Sequence, residues 1–157
     1  MSAENLIEHI SSMMNFVNIQ RLWMQRHLEP IAKKYKLKMS DLSLMLLLHI
    51  NKELKTAKDI AMFSDLKRGN ISLIVESLSC RGFIKQLAVE GDRRMKKLEL
   101  TSKCDGVLNE CDEILLALFK IMIEGIAEDE LLRAKEVFVQ MYKNIEKEEH
   151  KSLEENR

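Results

Sequence analysis

Proline occurs once and glycine five times in 157 residues, so little in the chain interrupts a helix, and collagen-like or Pro/Gly-rich linker character is excluded. Cysteine is nearly as scarce. Cys80, Cys104 and Cys111 are odd in number and form no CxxC pair, which excludes a disulfide framework and a zinc cage. Placed seven residues apart on one helix, Cys104 and Cys111 would stand about 10.5 Å apart, beyond the disulfide limit of about 7 Å. All three read as small reduced side chains. The four histidines, His9, His27, His49 and His150, show no HxxxH spacing, so no metal site is expected. The greasiest run, Ile114 to Ile123, is about half a membrane span long and contains Lys120, and no cationic start precedes an apolar signal core. No membrane association is expected, and a cytoplasmic location follows. A Gly-rich phosphate loop, a nucleophile beside a base and a pocket-like carboxylate pair are all missing, and Asp112-Glu113 reads as a solvated helix face. An enzyme, or a cofactor, is therefore not expected.

What is there is apolar and charged: 46% hydrophobic residues and 32% charged, with 25 Lys/Arg balancing 25 Asp/Glu. The balance conceals an asymmetry. Residues 1–51 carry six cations against four anions, residues 52–103 twelve against seven, and residues 104–157 seven against fourteen. Cations concentrate in the middle third, the distribution of a protein that directs one face at polyanions.

Apolar periodicity organises the chain into helices. Leu6, Ile10, Met13, Val17, Met24, Leu28 and Ile31 mark a long amphipathic helix over residues 4–35, with a break expected near Glu29 because Pro30 removes a donor and crowds the preceding turn. Ser40 reads as the N-cap of a central helix through Ile50 that is apolar on nearly every side. Thr56 and Asp59 form a capping box opening a short helix to about Phe63, followed by a tight turn over residues 64–67. From Arg68 to about Arg81, Ile71, Ile74, Val75 and Leu78 at i, i+3, i+4 and i+7 define the core face of another helix, stopped by Gly82. Its outward residues near the start, Arg68, Gly69, Asn70, Ser72 and Leu73, are suited to reaching base edges. Phe83–Val89 and Met95–Leu100 read as strands joined by turn chemistry at Glu90-Gly91-Asp92. Thr101 caps a helix that ends near Gly125, and a last helix spans Ala127 to about His150.

Helix, turn, helix and hairpin make a winged helix-turn-helix. The expected fold is mostly α with a small β-hairpin wing: residues 37–101 as the DNA-binding core, and residues 1–36 and 102–157 as flanking dimerisation helices within one compact domain. Those flanking helices carry more apolar surface than a winged core of about 60 residues can cover, and a twofold dimer is its simplest sink.

Leu66-Lys67-Arg68, Arg81-Gly82-Phe83-Ile84, Asp92-Arg93-Arg94 and Leu98-Glu99-Leu100-Thr101 occur in that order. Through them the chain resembles the multiple antibiotic resistance regulator (MarR) family of transcription factors over most of its length. The resemblance implies a homodimer whose recognition helices enter successive major grooves of a pseudo-palindromic operator in double-stranded DNA while the wings reach the flanking minor grooves. It assigns base and phosphate contacts to Arg68, Gly69, Asn70 and Ser72, the minor groove to Arg94 braced by Asp92, and phosphates to Arg93, Lys96 and Lys97. It also implies a repressor released by a small aromatic or anionic effector, with Phe16, Arg21 and His49 as candidate pocket residues and Met13, Met14, Trp23, Met24 and Met45 as an adaptable lining. Four positions depart from the family: Leu73 and Ser77 where relatives often carry Arg, Lys67 where an acidic N-cap is common, and Cys104 where Gly is frequent. The competing reading is a winged-helix module whose hairpin docks an acidic protein, and salt dependence on random duplex DNA separates the two.

Overall fold

The computed structural model describes residues 2–64, 68–89 and 91–155; the side chains of residues 63, 68, 92–94 and 149–155 lie outside the description. Within it the order is α1 (Ala3–Lys34), α2 (Met39–Ile50), α3 (Ala57–Phe63), α4 (Arg68–Cys80), β1 (Ile84–Val89), β2 (Asp92–Leu100), a 3-10 turn (Ser102–Cys104), α5 (Asp105–Met122) and α6 (Glu128–Glu155). Two compact units result, Met1–Leu116 and Ala117–Arg157. The first contains a winged helix-turn-helix.

Helix α1 starts where the Ser2 hydroxyl accepts the Asn5 N–H at 3.3 Å. It then runs unbroken through Pro30, contrary to the break expected near Glu29. The local penalty of proline is outweighed because the turns on both sides of it are anchored: Leu28, Ile31 and Ala32 are all buried in the core. Further back along the α1 stripe Met24 is half-buried. Leu6, Ile10, Met13 and Val17 are exposed, as are Met14 and Phe16.

Helix α2 is the centre of the core, with Leu42, Leu44, Met45, Leu46 and Leu48 buried. Met45 is thus a fully buried core side chain. The helix begins at Met39 with Lys38 as N-cap, not at the expected Ser40. Asp41 causes the shift by reaching back one turn to accept the Lys38 N–H at 3.0 Å. The chain enters this helix through Lys36, which takes a positive φ of 54°.

Cys104 belongs to the 3-10 turn, which Thr101 caps, and α5 starts one residue later; Cys104 and Cys111 are therefore not on one regular helix. Both are buried, and the Cys104 thiol donates to the Phe83 carbonyl at 3.1 Å. Burial pushes the Cys111 thiol up to about 11. Cys80 is exposed.

In the second unit α6 extends to Glu155, beyond the expected end near His150. Its Ala127 N–H is capped by Glu130 at 3.1 Å. Phe119, Ile121, Leu132, Val137, Phe138, Tyr142 and Ile145 are exposed in this unit. Among the described residues no helix is long and apolar enough to cross a membrane.

Candidate nucleic-acid interface

The helix pair opens with the Thr56–Asp59 capping box in the expected form. The Thr56 hydroxyl accepts the Asp59 N–H at 3.1 Å, and the Asp59 carboxylate accepts the N–H groups of Thr56 at 2.8 Å and Lys55 at 3.0 Å. Burial pushes the Asp59 carboxyl upward, but these hydrogen bonds and the neighbouring Lys58 outweigh it and hold the group below its ordinary range. The expected turn over residues 64–67 lies outside the described residues apart from Ser64.

Helix α4 divides cleanly. Ile71, Ile74, Val75 and Leu78 are buried, while Gly69, Asn70, Ser72, Leu73, Glu76 and Ser77 are exposed. The first set seats the helix on the core and leaves the second as a solvent-facing strip. Gly82 ends the helix at a φ of 77°, a left-handed conformation that favours glycine.

Several contacts tie the C-terminal end of α4 to its surroundings. At its C-terminal end, Arg81 donates to the carbonyls of Lys36 at 2.9 Å and Tyr35 at 3.4 Å, and its guanidinium lies 3.5 Å from the buried Asp41 carboxylate. The same guanidinium covers the Phe83 ring at 5.2 Å, and Lys103 covers that ring at 4.9 Å. Toward the hairpin, the Gln86 amide donates to the Ser79 hydroxyl at 3.0 Å.

Strands β1 and β2 pair antiparallel from Ile84 with Leu100 through Ala88 with Lys96. The register then slips, and Val89 faces Asp92. The second strand therefore starts at Asp92 and not at Met95. Asp92 joins the ladder, and only Glu90 and Gly91 stand between the strands, with Gly91 at a φ of 86°. Arg93, Arg94 and Met95 lie on the slipped stretch, where a bulge re-aims the strand. A third segment steadies the base of the hairpin: Thr56 bridges Lys97, and the Leu98 N–H donates to the Lys55 carbonyl at 2.7 Å.

Of the site residues expected from the sequence, Gly69, Asn70 and Ser72 share the exposed strip of α4, and Lys96 is exposed on β2. Lys97 is only half-exposed, and its ammonium is paired with Glu99 on the same strand. The side chains of Arg68, Asp92, Arg93 and Arg94 lie outside the described residues, and so does the expected Asp92–Arg94 ion pair. A cavity of about 730 Å³ separates α4 from the hairpin, lined on one side by Ser72, Val75 and Glu76 and on the other by Gln86, Met95, Lys96 and Leu98. Ser72 thus faces the wing side of α4.

Phe16, Arg21 and His49 are not brought together by any hydrogen bond or ring contact among the described residues. Phe16 is exposed on α1, Arg21 donates to Asn18 at 3.1 Å, and His49 bonds Asp112 at 2.9 Å. Asp112, whose side chain is 42% exposed, is thus an interhelical partner as well as part of a solvated helix face. Trp23 packs edge-on against His27 with centroids 5.5 Å apart.

The sequence reading placed Leu73 among the outward residues of α4 without assigning it a contact, and it is 66% exposed there. Arg81 was read as part of a motif, with no sequence signal for its reach to Asp41 and Lys36.

Residues 37–96 match the model of the MarR family. No curated protein matches the chain. Among solved structures, the transcriptional regulator PA3341 is similar at 22% identity and a TM-score of 0.71, covering 87% of this chain and 97% of its own. The regulator BldR from Sulfolobus solfataricus is similar at 22% identity and a TM-score of 0.65, covering 90% and 99%. A MarR regulator from Methanosarcina mazei Go1 is similar at 13% identity and a TM-score of 0.69, covering 87% and 98%. At these identities the likeness shows the fold.

Proposed function

We propose, for a chain that carries a MarR-family domain over residues 37–96, that it acts as a homodimeric, sequence-specific transcriptional repressor of double-stranded DNA in the cytoplasm. The observation that carries this reading is the exposed strip of α4, held beside a hairpin whose bulge bears Arg93 and Arg94. Helix α4 would enter the major groove. Arg94 would enter the minor groove, where a narrow groove concentrates negative potential, with Arg93 and Lys96 on flanking phosphates. Lys97 is the weakest of the expected contacts, since Glu99 already neutralises it.

The dimer is supported by apolar surface that the single chain leaves open: Leu6, Ile7, Ile10, Met13 and Phe16 along α1, and Phe119, Phe138 and Tyr142 in the second unit. On this reading residues 1–36 and 102–157 supply the interface. The repressor would be released by a small aromatic or anionic ligand that prefers a spacing of the two wings unsuited to the operator, a shift limited by the ligand's differential affinity. Catalysis has no part in it.

The direct experiment is selection of a binding site from a random duplex pool, followed by sedimentation of the complex and footprinting. Two chains on one duplex, with protected half-sites roughly 34 Å apart, is the expected result. A single chain per duplex, or no enriched sequence, contradicts it.

A further inference from the structure

On the exposed strip of α4, Leu73 is 66% exposed. At about 100° per residue, it projects within about 30° of the direction opposite the Ile71, Ile74, Val75 and Leu78 stripe. Ser72 is turned toward the hairpin cavity instead. One turn before Leu73 stands Gly69, where even an added Cβ would meet nothing within 4 Å. Leu73 is thus the first side chain to project along the centre of this face after a bare stretch of backbone. No Lys or Arg occurs between Gly69 and Cys80. The commonest specific contact in the major groove, a cation on guanine O6 and N7, is therefore unavailable along the middle of the helix.

We propose that Leu73 is a specificity-determining residue that packs on the C5-methyl group of thymine in the major groove, making each half-site depend on a thymine opposite the middle of α4. The inference rests on the DNA-binding reading above. An exposed leucine has no hydrogen bond to offer, so the base feature it can recognise is apolar, and the thymine methyl is the apolar feature of the major-groove edge. Gly69 permits the close approach such a contact requires.

Deoxyuridine tests this directly, because it differs from thymidine only by the missing methyl. With a duplex selected by the wild-type chain, each thymine of the half-site is replaced in turn by deoxyuridine, symmetrically in both halves, and the Kd is measured at fixed salt. One symmetric pair should weaken wild-type binding about fifteenfold, near fourfold for each buried methyl. Leu73→Ala should bind the thymine duplex more weakly, with no further loss on the uracil duplex, while Leu73→Met should retain the uracil penalty. Circular dichroism checks that these surface substitutions leave the fold intact. Uracil replacement without effect at every thymine, or a penalty that persists in Leu73→Ala, overturns the proposal while leaving DNA binding standing. Failure to bind any duplex overturns the DNA-binding reading and this proposal with it.

Discussion

Arg81 reaches from the end of α4 to the buried carboxylate of Asp41 at 3.5 Å while donating to the Lys36 carbonyl at 2.9 Å. One side chain thereby ties the candidate recognition helix to the turn between α1 and α2. Asp41 is itself the group that accepts the Lys38 N–H and starts α2, so both elements depend on the same carboxylate. Asp41→Ala removes a helix cap and leaves part of the Arg81 donor set unpaired. A loss of about 1–3 kcal/mol is expected. Denaturant unfolding followed by circular dichroism measures it; a loss below about 0.5 kcal/mol contradicts the role assigned to the pair.

The Thr56–Asp59 box predicts both a mutational and a pH effect. Thr56→Ala should cost about 1 kcal/mol. Asp59 has a folded-state pKa below its ordinary 3.8, so its contribution is complete above about pH 4 and disappears as pH falls through the lower folded value. Between wild type and Asp59→Asn, the stability difference should shrink on acidification below pH 4. A difference that grows there would show that the carboxylate does not favour the folded state.

Thiol chemistry should separate the three cysteines. Cys80 is exposed, whereas Cys104 and Cys111 are fully buried. At pH 8 a thiol reagent should titrate one group quickly and the other two only as the protein unfolds. The raised pKa of Cys111, about 11 against an ordinary 9.0, means that its contribution to stability is complete below pH 9 and lost as pH rises through 11. Replacing Cys111 with Ala should reduce the alkaline sensitivity of unfolding over that window, and an unchanged alkaline limb counts against it.

Much of the local architecture was legible because its causes are local. The stripe Ile71, Ile74, Val75 and Leu78 states which face of α4 is buried, and Thr56 with Asp59 forms a cap within four residues. Contacts made across the chain were not legible. Pro30 stays inside α1 because Leu28, Ile31 and Ala32 anchor the turns around it. The start of α2 is set by Asp41, whose other partner, Arg81, is forty residues away. The slip that puts Asp92 opposite Val89 depends on pairing along two strands and leaves no mark in composition. In the candidate site, sequence pattern identified the outward residues of α4, Leu73 among them, but could not rank them by exposure.

The wing assignment makes a prediction that separates a reading arginine from a phosphate-neutralising lysine. Arg94→Ala should reduce affinity for the selected duplex by about tenfold or more without changing the unfolding transition. Lys96→Ala should weaken all duplexes similarly and make the salt dependence shallower by about one for each protomer. Titrations at several salt concentrations distinguish the two patterns, and equal effects of both substitutions on selected and random DNA contradict the assignment.

The central claim, that α4 and the hairpin form a face for DNA, is tested most directly by titrating a labelled random duplex with the wild-type chain from 50 to 200 mM salt. Three phosphate contacts from each of two protomers predict a slope of log K against log salt of roughly −5. A slope near zero, or no binding at the lowest salt, would contradict the account and favour a hairpin that docks on protein.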